Sequence, residues 1–466
     1  MNNKVSVTFQ EAHHRKLKGL MYPGDGKESV VIVLCSKVES HDRVRLLSKY
    51  IYPIADEDCT VREVDTVRWP THLIEEALQH AEREKLSVVK VHSHPSGTKR
   101  FSSLDDKSDR ELFPSIDSWV GNDLLHASLV MLPDSSMFGR TVGPQGDFRP
   151  LYLISVANDD LLFWLDEMAN DNLPESARRL AQAFGEGTYN IMKKIRIGFV
   201  GCSGTGVPTI TTFNLNHLGE MVLVDPDIIE EGNRNRIATA TPKDIEDAIS
   251  KVLNQQGAIE ARGLGTKVYP YQSDISNPNV IEALGSCDIL IGCVDSAKGR
   301  YFLNKISSCF LVPYFDLGVR IDTDNGTSIK GVNASMHFIK PGGSSLLSRY
   351  VYTMDQVHAE QMKATDPEEY RRQIDEGYVK GVEVERPAVA SINACISSLV
   401  VEEIMARLVG YRFVDNTDFA IRRMVFCMGE SLHEADEGAA CTILEAIVAR
   451  GDKRPLLNLP LLEVAA

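Results

Sequence analysis

The chain has 466 residues, 43% apolar and 25% charged, enough for two to four domains of roughly 100–200 residues each. Its 50 lysines and arginines are outnumbered by 65 acidic residues, a net charge of −15, and there is no basic block, so nucleic acid is a poor partner for this chain. The N-terminus MNNKVSVTFQEAHHRK lacks a secretory apolar core, no apolar run is long enough to span a membrane, and the nine cysteines form no CxxC pair. These features predict a cytoplasmic protein with reduced thiols.

Residues 1–155 carry short apolar runs, Val30–Cys35, Leu86–Val91 and Ala127–Leu132, separated by charged, turn-rich segments. They predict a compact α+β unit with buried strands. The acidic stretch Asn158–Arg178 predicts a linker helix over 156–178. Residues 179–466 form the next unit. There Lys194–Val200 runs directly into glycines, and further strand-like runs follow at Met221–Val224 and Ile289–Val294 with helical patterns between them. This alternation predicts an α/β fold, a doubly wound and mostly parallel sheet with helices on both faces.

The first chemical constellation is LSVVKVHSHP, Leu86–Pro95. His92 and His94 are two apart, so at a strand end both imidazoles project to one face. Ser102 and Asp105 follow shortly after. Two imidazoles and a carboxylate suit a zinc ion and leave a fourth position for water, which zinc would make acidic at neutral pH. Glu28, opening the strand ESVVIVLC, is placed to act as general base, and Ser102 to donate to a developing oxyanion. Each piece also has a plain structural reading. HxH is often a surface or core pair, SxxD usually caps a helix, and a glutamate at a strand start is normally solvated.

Glu28, His92-Ser93-His94-Pro95 and Ser102-Ser103-Leu104-Asp105 together resemble the JAMM (JAB/MPN) metalloprotease family over residues 1 to about 150. The resemblance implies a zinc isopeptidase that cleaves ubiquitin or ubiquitin-like proteins at their C-terminal glycines. It further implies that His92, His94 and Asp105 bind zinc, Glu28 is the base and Ser102 supports the oxyanion.

The second constellation starts at IGFVGCSGTG, Ile197–Gly206. Gly201, Gly204 and Gly206 follow a strand and open a helix, so backbone amides can approach phosphates closely. Asp225, about twenty residues on, can hold ribose hydroxyls, which leaves a nicotinamide enzyme open at this point. Asp227, Asn233, Arg236 and Lys251 follow, then Asp295 with Arg300 and Asn304 beyond it, while Arg179 lies upstream. Three cationic groups (Arg179, Arg236, Lys251) with an acidic residue for magnesium are what a triphosphate needs. In that chemistry a substrate carboxylate attacks the α-phosphate and expels pyrophosphate.

This set resembles the ThiF/MoeB family, which includes the ubiquitin-activating enzymes, from Arg179 to Tyr411 and closing with GYVKGVEVERPAVASINACISSLVVEEIMARLVGY. The resemblance implies a Rossmann-like domain that adenylates the C-terminal glycine of a ubiquitin-like protein with ATP. Gly201, Gly204 and Gly206 would cradle the nucleotide and Asp225 hold ribose, with Asp227 beside it. Asn233, Arg236 and Lys251 would line the phosphates and Asp295 hold Mg2+. Arg179 would approach the triphosphate, in many relatives from the partner subunit of a homodimer.

Two departures from the family stand out. Relatives carry two CxxC pairs for a structural zinc, whereas this chain has Ser345-Leu346-Leu347-Ser348 at the first and Cys441-Thr442-Ile443-Leu444 near the second. Serine is a poor zinc ligand, so packing is expected to hold this lobe. Residues 340–390 also contain no cysteine for thioester transfer. Cys202 lies in the phosphate loop and Cys309 in an apolar stretch, while Cys395 sits in a run that reads as a buried helix and is the first candidate should the chain carry a thioester.

Pairing the two activities points to a bacterial ubiquitin-like conjugation system, of the kind found in antiphage defence, with the ubiquitin-like tail as substrate and a separate conjugating enzyme as further partner. Trimming and adenylation of a sulfur carrier for thiolation is the alternative. A non-enzymatic scaffold that binds a ubiquitin-like fold is the third reading.

Overall fold

The computed structural model describes residues 3–121, 124–166, 172–324, 328–376 and 388–462. Two compact units emerge. One comprises 1–170 with Val448–Asn458, the other 171–447 with 459–466. No helix among the described residues is long and apolar enough to cross a membrane.

The first unit contains β1 (Lys4–Gln10), β2 (Val30–Glu39), β3 (Arg43–Pro53), β4 (Val61–Arg62), β5 (Val67–Arg68), β6 (Ser87–Ser93), β7 (His126–Met131), β8 (Met137–Val142), β9 (Phe148–Pro150), β10 (Leu153–Ala157) and β11 (Leu162–Leu165). All but the small β4–β5 hairpin join one nine-stranded sheet in the order β11-β10-β1-β3-β2-β6-β7-β8-β9. The run Val30–Cys35 is continuously apolar because both faces of β2 are covered. Val31, Val33 and Cys35 pack with Leu17 and Met21 of the helix Glu11–Met21. Val30, Ile32 and Leu34 pack with Ala77, Leu78, Phe113 and Ile116 of the helices Glu75–Glu84 and Ser103–Val120.

The linker helix expected over 156–178 is not what forms. Leu162–Leu165 is instead an edge strand paired antiparallel with Leu153–Val156, and a short 3-10 turn occupies Glu175–Ala177 before a helix at Arg178–Phe184. The aromatic run Leu-Leu-Phe-Trp-Leu favours an extended conformation when a strand edge is available to pair with, and that outweighs the helix-like acidic flanks. Residues 167–171 of this segment lie outside the described residues.

The second unit contains β12 (Arg196–Val200), β13 (Glu220–Val224), β14 (Lys267–Tyr271), β15 (Ile289–Gly292), β16 (Tyr314–Asp324), β17 (Ser328–Ile339), β18 (Ile421–Val425) and β19 (Glu430–Glu434). Their order is β14-β13-β12-β15-β16-β17-β18-β19. The five strands from β14 to β16 pair in parallel, and the last three add on antiparallel. The parallel part follows the expectation; the antiparallel extension does not, since hairpins linking polar, half-exposed strands carry little periodic signal. The chain runs outward from β12 to β13 and β14, then returns to β15. The crevice between the ends of β12 and β15 is thus the topological switch point, where such sheets bind ligands.

The segment Val448–Asn458, read from sequence as part of the 179–466 unit, packs with the first unit instead. Ser36 donates its hydroxyl to the Ala449 carbonyl at 2.5 Å, Asp452 N–H donates to Lys37 O at 3.2 Å, and Leu456 and Leu457 are fully buried.

In the second unit Ser345 and Ser348 bond to each other. Ser345 N–H donates to Ser348 Oγ at 2.8 Å and Ser348 N–H to Ser345 Oγ at 3.1 Å. Beside them Asp436 accepts from Ser344 Oγ at 2.8 Å and pairs with Arg349 at 2.9 Å, while Cys441 N–H donates to Gly343 O at 3.0 Å. Hydrogen bonds and an ion pair thus join the two segments in which relatives were expected to carry cysteine pairs.

Candidate functional sites

In the first unit, antiparallel pairing of β2 with β6 sets Val30 opposite His92, and Ser93 N–H donates to Ser29 O at 3.1 Å. That register carries Glu28, more than sixty residues earlier, to the end of the strand that presents the histidines. The helix Ser103–Val120 begins at the same place, with Ser102 as its N-cap and Asp105 at N3 in a capping box. Asp105 is therefore held rigidly by helix initiation and projects toward the histidines.

His92, His94 and Asp105 each turn one ligand atom into a common space, all within 4.8 Å of one another. His92 Nε2 lies 3.2 Å from His94 Nε2 and 3.0 Å from Asp105 Oδ1, and His94 Nε2 lies 3.5 Å from Asp105 Oδ2. A tetrahedral zinc with bonds of about 2.0–2.1 Å has ligand-to-ligand edges of about 3.3 Å, so the donor set and its spacing fit that ion. His94 Nδ1 lies 2.8 Å from Thr98 O, which fixes the proton on Nδ1 and leaves Nε2 free to ligate. Burial lowers the His92 pKa. Burial opposes ionised Asp105, yet hydrogen bonding to His92 and His94 holds its carboxyl well below the usual range.

Glu28 lies on the wall of a cavity of about 510 Å³, together with Lys90, His92, Asp105, Trp69 and Leu112. Burial pushes its pKa up to about 7, with the Asp105 charge adding to the rise and His94 opposing it. A carboxylate poised near neutrality is suited to taking and returning a proton. Ser102, expected to support an oxyanion, is engaged otherwise: its hydroxyl donates to Asp105 Oδ2 at 2.7 Å and accepts from Asp105 N–H at 3.1 Å. With one hydroxyl proton to give, Ser102 here serves the helix cap.

The sequence reading passed over Lys90, two residues before His92 on the same face of β6. It is buried and ion-paired with fully buried Asp109, which also accepts from Arg140 Nε at 3.2 Å and from its terminal nitrogen at 2.7 Å. The only signal in the sequence was a lysine inside an apolar strand run.

In the second unit the switch-point crevice opens into a cavity of about 790 Å³. Gly201, Gly204, Asp225, Asp227, Asn233, Arg236, Lys251 and Asp295 all line it. Gly201 has φ +96°, and a Cβ there would meet Cys293 O at 2.4 Å, so only glycine fits the turn. Gly206 lines nothing in the cavity. A Cβ at Gly206 would lie 2.0 Å from Gly201 O, so its lack of a side chain serves close packing of the helix Gly206–Leu215 on the loop.

Asp225 is buried at the end of β13. Its carboxylate accepts from Cys202 N–H at 2.7 Å and from Asp227 N–H at 3.0 Å, and burial raises its pKa despite the nearby Lys251. Lys251 opens the helix Lys251–Arg262 and reaches back to Asp227 at 2.7 Å and Asp225 at 3.8 Å. Arg236 donates to Gly232 O at 2.5 Å. Arg179 is exposed on its helix and lies outside this cavity.

Sequence reasoning missed three further lining residues, Asp274, Lys298 and Asn393. Lys298 bonds Asp274 at 2.9 Å, and Asn393 Nδ2 lies 2.5 Å from where a Gly204 Cβ would be. Asn393 was visible only as one polar residue in an apolar helix. On that helix, Ala390–Val409, Cys395 is exposed, which corrects its reading as a core residue; the 3.6-residue period buries Asn393 and Ile396 and turns position 395 outward. Cys202 and Cys309 are buried, and Cys427 is exposed. Of the expected closing segment 377–411, residues 377–387 lie outside the described residues.

The family model described as the ThiF family matches residues 176–433. The chain belongs to the ThiF family. A second model, prokaryotic homologs of the JAB domain, matches residues 19–142, so a JAB domain precedes the ThiF domain. The ThiF-family chain is 26% identical over 116 residues to the adenylyltransferase and sulfurtransferase UBA4 of Debaryomyces hansenii, covering 25% of each chain. It is 28% identical over 113 residues to the SAMP-activating enzyme E1 of Haloferax volcanii, covering 24% of this chain and 40% of that one. The matches thus span less than half the length of these curated relatives. Among solved structures it is similar to E. coli MccB at 14% identity and TM-score 0.43, over 60% of this chain and 75% of that one.

Proposed function

We propose that this ThiF-family chain is a bifunctional enzyme acting on the C-terminal glycine of a ubiquitin-like protein. Its JAB unit would cleave after that glycine, and its ThiF unit would adenylate it with ATP. One observation carries the reading: the cavity at the switch point of the second unit gathers a glycine loop, the buried carboxylate of Asp225 with Asp227 beside it, and the cations Arg236 and Lys251. That is the set a nucleoside triphosphate requires.

In the ThiF unit the tail carboxylate attacks the α-phosphate of ATP. The bond between that phosphorus and the bridging oxygen breaks, and pyrophosphate leaves with the electron pair. Asp225 is placed for ribose, the Gly201–Gly204 amides and Arg236 for phosphate oxygens, and Asp295 for Mg2+, which neutralises phosphate charge when bound. Lys251 would exchange its present partners, Asp225 and Asp227, for phosphate. Arg179, exposed and away from this cavity, is assigned to the partner's cavity in a homodimer.

In the JAB unit His92, His94 and Asp105 would hold zinc, which supplies Lewis acidity and a more acidic water. Glu28 takes the proton from the attacking water and returns it to the leaving amine. The same tail is thus an object of both units, in a cytoplasmic bacterial conjugation system of the antiphage kind, with a conjugating enzyme receiving the activated tail.

Intact-mass analysis of the chain with a Gly-Gly-terminated ubiquitin-like protein, ATP and magnesium, with and without thiol reductant, tests this. An AMP adduct on the partner is expected. A chain that forms no adenylate and releases no pyrophosphate would sink the reading. The sulfur-carrier alternative draws support from relatives named adenylyltransferase and sulfurtransferase; a thiocarboxylate product that requires persulfide would favour it.

A further inference from the structure

The switch-point cavity has two sides: the ribose and phosphate candidates sit on one, and the magnesium candidate Asp295 stands on the other. Gly201, Gly204, Asp225, Asn233, Arg236 and Lys251 follow β12 and β13, whereas the opposite wall is built from Asp295–Arg300 after β15 and Leu317–Val319 on β16. On that wall stands Arg300.

Its side chain is largely buried, and its Nε donates to both oxygens of Asp316 at 3.1 and 3.2 Å. Asp316 is itself 1% exposed and accepts from Tyr314 OH at 2.6 Å. The guanidinium is therefore held through Nε by a buried carboxylate that Tyr314 also binds. Among the described residues, no hydrogen bond leaves from its two terminal nitrogens, which form the forked edge that remains.

Gly318 lies in the interior of β16 with no left-handed φ to require glycine. A Cβ there would stand 3.6 Å from the Arg300 terminal nitrogen and 3.3 Å from Ser335 Oγ. Glycine inside a strand weakens it, and it commonly marks close approach of a ligand or another backbone. Its effect here is to keep the space in front of the Arg300 fork clear.

We propose that Arg300 is the positioning residue for the carboxylate that attacks ATP, and that Gly318 leaves room for the extended chain bearing it. The assignment rests on the adenylation reading and goes beyond it by locating the tail. A guanidinium fork matches a carboxylate in plane and spacing. The carboxylate and the α-phosphate are both anionic, so a fixed cation on the tail side offsets their repulsion as they meet. The nucleophile is already an anion, so no proton moves in this step; one carboxylate oxygen bonds to phosphorus as pyrophosphate departs.

The test uses the full chain, ATP, and a synthetic peptide ending in Gly-Gly as free acid or C-terminal amide. Wild type is expected to release pyrophosphate with the free acid and not with the amide. Arg300→Ala is expected to raise KM for the free acid roughly tenfold or more, the loss of a charge-assisted hydrogen bond, with ATP affinity unchanged. Arg300→Lys should recover part of that loss, and Gly318→Val should mimic it while leaving Arg300 in place. The proposal is overturned if Arg300→Ala weakens ATP binding as much as it raises KM, which would make Arg300 a phosphate ligand. It is equally overturned if KM does not move, or if wild type binds ATP but responds to neither peptide. A wild type that does not bind ATP would remove the adenylation reading itself.

Discussion

Asp105 and Ser102 hold each other at the start of a helix: both the hydroxyl and the backbone N–H of Ser102 donate to Asp105 Oδ2 at 2.7 Å, while Asp105 Oδ1 faces His92 Nε2 at 3.0 Å. The plain reading of SxxD as a cap and the chemical reading of Asp105 as a ligand therefore coexist, because one carboxylate has an oxygen for each.

Substitution separates the two roles. Asp105→Asn keeps a capping side chain and is expected to leave the melting temperature nearly unchanged, yet to weaken zinc binding by roughly tenfold or more. Ser102→Ala should do the opposite, costing about 1 kcal/mol of stability with zinc retained. Zinc titration and thermal unfolding of both variants check this; equal zinc loss in the two would place the metal elsewhere.

The pH dependence of cleavage follows from Glu28. Burial pushes its pKa up to about 7 in the metal-free protein. A raised carboxyl is protonated below that value, so the base is lost as pH falls through it and gained as pH rises. Cleavage should climb from pH 5 to a plateau above neutrality, with the midpoint below 7 once a dication nearby favours the anion. A rate that falls as pH rises over that range would mean that Glu28 acts as an acid, or not at all.

Gly201→Ala places a methyl group 2.4 Å from Cys293 O at a φ of +96°. Strain of this kind costs of order 1–3 kcal/mol and displaces the loop. ATP affinity should fall by roughly tenfold or more, with zinc content untouched; nucleotide binding by calorimetry decides the matter.

Arg349→Ala removes the mostly buried cationic partner of Asp436 and leaves its carboxylate with the Ser344 and Gly438 hydrogen bonds alone. The second unit should lose up to about 3 kcal/mol in urea unfolding. Prolonged chelation should leave that transition unchanged. A chelator-sensitive transition in this lobe would show that a metal, not the Ser344–Arg349–Asp436 contacts, holds it.

Leu456→Ala opens space in the first unit, where Val448–Asn458 packs, and should destabilise that unit by about 2–5 kcal/mol with ATP affinity kept. Two unfolding transitions, one followed by zinc release and one by nucleotide protection, would separate the effects.

Much of this molecule was written locally. The strands β2, β12 and β15, to within a few residues at their ends, the glycine turn at Gly201 and the HxH pair could be read from the sequence, because periodicity, φ requirements and side-chain chemistry act over a few residues. The tertiary structure alone decided what depends on contacts between distant segments. It paired Leu162–Leu165 into an edge strand, added three antiparallel strands to the second sheet, and sent Val448–Asn458 back to the first unit. It also turned Cys395 to solvent, committed the Ser102 hydroxyl to a cap and set Arg300 on Asp316. Each of these is fixed by which remote group satisfies a hydrogen bond or covers an apolar face, and a local pattern carries no record of that choice.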